Sequence, residues 1–110
     1  MTLPVALDTS SACFVPITVV LELEWVLRGA YQLSREAIIR AFRGLIAIRH
    51  LHLEQEEQVL QALEAYGQGL DFADALHLLR SEGCAALVSF DRAFAAKAGE
   101  LALTPAVRQL

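Results

Sequence analysis

At 110 residues, over half of them apolar and a fifth charged, the chain fits a single domain, residues 1–110, with its own core and is not a disordered segment. Its net charge of −4 argues against a broad, non-specific nucleic-acid binder, yet leaves room for a carboxylate site that meets phosphate through a metal ion. No apolar run reaches the roughly 18 residues needed to span a bilayer. The N-terminus lacks a basic stretch followed by a long apolar one, and Cys13 and Cys84 are too few and too far apart for a metal knuckle. These features point to a cytoplasmic protein with two reduced, mostly buried thiols and no membrane partner.

In chain order, Val5 to Leu7 is a short apolar run that reads as a weak strand, ending at Asp8. Cys13 to Val15 is a second, stopped by Pro16. From Ile17 to Leu27 the apolar residues Val19, Leu23, Val26 and Leu27 recur at helical spacing, and Gly29 ends the pattern. Ser34 precedes a second helix with a wide apolar stripe over Ile38, Ile39, Phe42, Leu45 and Ile46. His50 to Leu53 alternates like a strand. Glu54 to Tyr66 reads as a helix closed by Gly67 and Gly69, and Asp71 to Glu82 as another with Asp71 as its cap. Ala85 to Ser89 is a strand, Phe90-Asp91 turns into a helix through Lys97, and Leu101 to Leu103 is expected as the last strand. Helices alternating with short apolar strands predict an α/β fold with a parallel sheet.

The informative residues are acids in surroundings that do not suit a solvated face. Glu22 has Thr18, Val19, Trp25 and Val26 as its helical neighbours, so it is expected in a cleft, where a cation would compensate lost hydration. Glu24 has Arg28 four residues on and reads as a surface pair. Asp71 is a helix cap; Asp74 stands in the first turn, favoured by the helix dipole, on a helix whose other residues are largely apolar. Asp91 follows a strand and precedes a helix, where ligands gather in open parallel sheets. It can also serve as a cap, and Ser89 can offer a hydroxyl to the same space. Oxygen donors of this kind suit a hard cation such as Mg²⁺. His50 and His52 lack a third soft ligand and read as a polar sheet face; His77, one turn after Asp74, reads as a surface or capping residue. Arg28, Arg35, Arg40, Arg43 and Arg49 crowd one third of the chain, either as solvated helix faces or as phosphate contacts.

The runs FVPITVVLELEWVLRGAY, YGQGLDFADALHLLRSEGC and ALVSFDRAFAAKA, in that order, resemble the PIN-domain ribonucleases, in particular the VapC-like toxins of bacterial toxin–antitoxin pairs. The likeness covers roughly residues 14 to 98. It implies a three-layer fold with a short parallel sheet flanked by helices, and Mg²⁺- or Mn²⁺-dependent endonucleolytic cleavage of RNA phosphodiester bonds. It also implies a homodimer and a cognate antitoxin that blocks the site. Glu22, Asp74 and Asp91 match the family's metal-holding acids.

The departure is at the start. Val5-Ala6-Leu7-Asp8-Thr9-Ser10 looks like the family's opening strand, whose aspartate is a central ligand, but three residues separate it from Phe14. Parallel neighbours need a crossover of about a dozen residues. Either the first strand–helix crossover is missing, or Asp8 lies outside the family position and joins the site only conditionally. The alternative to an active toxin is therefore a shortened, weakly active or inactive relic that acts as a binding or oligomerisation module.

Overall fold

A computed structural model of the chain describes residues 6–7 and 12–110, and these fall into two units, Met1–Glu56 and Glu57–Leu110. The first unit carries β1 (Ala6–Leu7), β2 (Cys13–Val15), α1 (Ile17–Gly29), α2 (Arg35–Ile46) and β3 (Leu51–Leu53). Pro16 ends β2 and precedes α1 with an extended backbone, but offers no side-chain cap. The unpaired amide of Ile17 instead donates to Oε1 of Glu54 at 2.9 Å. Ser34 caps α2 as its sequence position predicts, its Oγ accepting from the Ala37 amide at 3.2 Å. Ile38 and Phe42, one turn apart on α2, are fully buried, and α2 packs on α1 and β3.

β2 and β3 run parallel, pairing Cys13 with Leu51, Phe14 with His52 and Val15 with Leu53, so the α1–α2 pair forms their crossover. β1 joins the other edge of β2 antiparallel, pairing Ala6 with Phe14 and Leu7 with Cys13. Antiparallel neighbours can be joined by a short connection, so the few residues between β1 and β2 demand no helical crossover. The expected pair of histidines on one strand face is corrected: His50 lies outside β3 in a left-handed conformation, φ 67°. The thiols are corrected too, since Cys13 is half-buried and Cys84 exposed; both are free.

The second unit carries α3 (Glu56–Gly67), whose first residue closes the first unit, then α4 (Phe72–Leu79), β4 (Ala86–Ser89), α5 (Arg92–Glu100) and β5 (Ala106–Gln109). Val59, Leu63 and Tyr66 of α3 and Phe72, Leu76 and Leu78 of α4 are buried, and the Tyr66 and Phe72 rings meet edge-to-face at 5.8 Å. β4 and β5 are parallel, Ala86 opposite Ala106 through Ser89 opposite Gln109, with α5 between them in sequence. The expected last strand at Leu101–Leu103 is instead the closure of α5. Ala102 turns left-handed at φ 54°, its amide donates to the Gly99 carbonyl, and the Leu103 amide donates to the Ala98 carbonyl. That bond pattern terminates a helix and leaves no strand there. Strand pairing resumes only after Pro105, along Ala106–Gln109. The α/β class stands: five helices among the described residues, and parallel pairing in both sheets.

Candidate metal centre

The acids of the second unit are set by helix starts. Asp71 is the N-cap of α4, its Oδ2 accepting from the Asp74 amide at 3.1 Å. That bond draws the cap and the first-turn aspartate onto one end of the helix. Asp91 is the N-cap of α5, its Oδ1 accepting from the Phe94 amide at 3.0 Å. The Asp91 amide in turn donates to Ser89 Oγ at 3.0 Å, so the hydroxyl at the end of β4 holds the turn that presents Asp91. Each cap spends one carboxylate oxygen on backbone and keeps a second.

Asp74 is half-buried, and its carboxyl is pushed above the usual aspartate range. Burial is the largest cause, the negative charges of Asp71 and then Asp91 add to it, and His77 opposes it. Two of the expected acids, Asp74 and Asp91, are therefore close enough to repel one another. Asp71, read from sequence only as a cap, belongs with them, and its signal was the three-residue spacing from Asp74. His77 is exposed, its backbone carbonyl accepting from the Ser81 hydroxyl at 2.8 Å. A cavity of about 360 Å³ in the same unit, bordered by Gln61, Glu64, Gln68, Leu79 and Leu103, contains none of the candidate acids.

Glu22 stands in the first unit, exposed on α1. The expected roles of the two α1 glutamates are corrected in their burial. The buried stripe of α1 runs through Ile17, Val20 and Glu24, at spacings of three and four, with Val19 beside it. Glu24 is only 3 % exposed, and its Oε2 accepts from Arg28 Nε at 2.9 Å. The pairing is as expected, but it is a half-buried bridge and not a surface one. Glu22 lies on the opposite face with Thr18 and Trp25, both exposed. Trp25, expected beside Glu22 on a mostly apolar stripe, is instead 65 % exposed. Asp8 lies outside the described residues.

The donor set fits a hard divalent cation: its atoms are carboxylate oxygens, and a cation relieves the repulsion from Asp71 and Asp91 that adds to the effect of burial on Asp74. No group of three or more His, Cys, Asp or Glu side chains stands ready to enclose an ion among the described residues. No helix among them is long and apolar enough to cross a membrane. A family model described as the PIN domain matches residues 3–100. Comparisons with curated proteins and with solved structures return no match.

Proposed function

The chain belongs to the PIN domain family, whose members are generally nucleases, and from that premise we propose that it is a metal-dependent endoribonuclease, the toxin of a toxin–antitoxin pair. The observation that supports this reading is the crowding of Asp71, Asp74 and Asp91 charge at the starts of α4 and α5. Asp74 and Asp91 would hold Mg²⁺ or Mn²⁺, with Glu22 as a further acid of the same set. When bound, such a cation polarises a phosphodiester and lowers the pKa of water. The chain's own part is positional. Asp71 fixes the first turn of α4 and so the place of Asp74, and Ser89 fixes the turn that carries Asp91. Asp71 accepts from the Asp74 amide and Asp91 from the Phe94 amide, so backbone bonds fix the helix starts from which these acids would reach a cation. In this reading RNA is the substrate, a cognate antitoxin is the inhibitor, the active form is a homodimer, and the protein acts in the cytoplasm.

The test is cleavage of RNA by the purified chain with Mg²⁺ or Mn²⁺, read on a gel. Cleavage is expected to vanish in EDTA and to fall at least about a hundredfold in Asp74→Asn and Asp91→Asn. Equal cleavage in EDTA or in both variants sinks the nuclease reading of these acids. A chain that never cleaves, yet binds an antitoxin or itself, is the binding module instead.

A further inference from the structure

The chain is acidic, but its charge is not evenly spread. Residues 28–49 carry five arginines and one acid, Glu36, in a chain of net charge −4. Two of the five are engaged: Arg28 pairs with Glu24, and Arg35 also makes contacts. Arg40, Arg43 and Arg49 are exposed and form no ion pair among the described residues. Arg40 and Arg43 stand three residues apart, so they are neighbours on the face of α2 opposite buried Ile38 and Phe42. Gly44 follows them with open space where a side chain would stand, so nothing crowds that face.

Large aromatic side chains are exposed in the same unit. Trp25, the chain's single tryptophan, is 65 % exposed, and Tyr31, just past the end of α1, is 63 % exposed. An indole in water forgoes the largest burial gain available to any side chain. Trp25 stands one turn after Glu22, on the same exposed face of α1. That spacing puts side-chain origins about 5–6 Å apart. An aromatic face thus adjoins Glu22, an acid of the proposed metal set, and α2, which carries Arg40 and Arg43, packs on the same helix.

We propose that α1 and α2 form a binding surface for single-stranded nucleic acid, with Trp25 and Tyr31 stacking on unpaired bases and Arg40, Arg43 and Arg49 contacting phosphates. Stacking platforms beside a basic track hold single strands without reading sequence, because every base has a π-face. A duplex hides those faces, so a single strand is the form bound. The overall negative charge restricts binding to this one basic tract, which suits a selective nuclease better than a general binder. The proposal rests on the nuclease reading for its role, but not for its test.

The test is titration with a short unpaired oligonucleotide in EDTA and low salt, following tryptophan emission. Because the chain has one tryptophan, quenching reports contact at Trp25 itself. Saturable quenching is expected. With a dye-labelled strand read by anisotropy, Trp25→Leu is expected to weaken binding about five- to a hundredfold. In Arg40→Gln/Arg43→Gln, the slope of log affinity against log salt is expected to flatten by about 1.4. These positions are exposed, so folding is retained, as circular dichroism checks. Binding without quenching, an unchanged salt slope, or equal affinity for a duplex overturns the proposal. Ribose and deoxyribose strands run in parallel decide whether the surface prefers RNA. Metal is chelated throughout, so failure here leaves the cleavage reading standing. Conversely, loss of the Asp74 and Asp91 effects on cleavage leaves this binding result intact.

Discussion

Asp74 shows how a residue proposed to hold a metal ion can cost the metal-free fold stability. Its carboxyl holds a proton more tightly in the folded chain than in the unfolded one, where the ordinary value is 3.8. Folding is thus favoured by this group at low pH. The advantage begins to fall as pH rises through 3.8, where the unfolded chain ionises, and is gone above the raised folded value. Without metal, the stability of Asp74→Asn relative to the parent should grow across that window and then level off, as denaturant titrations at a series of pH values will show. Asp71→Asn keeps the cap and removes one of the negative neighbours, so it should shrink the same window. Glu24 poses the opposite case. Removing Arg28 as Arg28→Met strips a buried carboxylate of its guanidinium and should destabilise by about 1–3 kcal/mol. Glu24→Met with Arg28→Met should recover most of that loss, a coupling that a double-mutant cycle in urea measures. The places of Asp74 and Asp91 at helix starts were legible in sequence, because each stands in a helix-start pattern. The burial of Glu24 was not, because Trp25 looks like a core residue to any rule based on hydrophobicity.

Elements were easiest to read where local chemistry and packing agree. Ser34 with Ile38 and Phe42 gives both the start and the buried face of α2, and both are found. Ser34→Ala is expected to lower stability by about 1 kcal/mol, read as a lower urea midpoint with an unchanged slope. The end of α5 was hidden because its left-handed position is filled by Ala102 and not by glycine, so Leu101-Ala102-Leu103 passes for an apolar strand. An alanine at φ 54° is strained, since its Cβ crowds the following carbonyl. Ala102→Gly should therefore stabilise by about 1 kcal/mol, and a loss on that substitution would contradict the assigned turn. β5 escaped notice for a different reason: it is mostly exposed and carries one valine, so it has no alternation to detect.

For the whole molecule, the acids and the basic tract make opposite demands that ionic conditions can separate. A divalent cation that binds only the folded chain stabilises it by about 2.7 kcal/mol at a hundred times its dissociation constant. Mn²⁺ should accordingly raise the melting temperature of the parent and leave that of Asp74→Asn/Asp91→Asn nearly unchanged, whereas monovalent salt should weaken oligonucleotide binding instead. The bond from the Ile17 amide to Glu54 bears on how the first unit assembles. The start of α1 is completed by a side chain 37 residues away, just after β3. Such a contact closes a long loop, and loops of that length form late relative to helical turns. Glu54→Gln should leave the folding rate nearly untouched and speed unfolding, with hydrogen exchange rising first at the N-terminal turn of α1. That turn would then be the segment through which the unit begins to come apart.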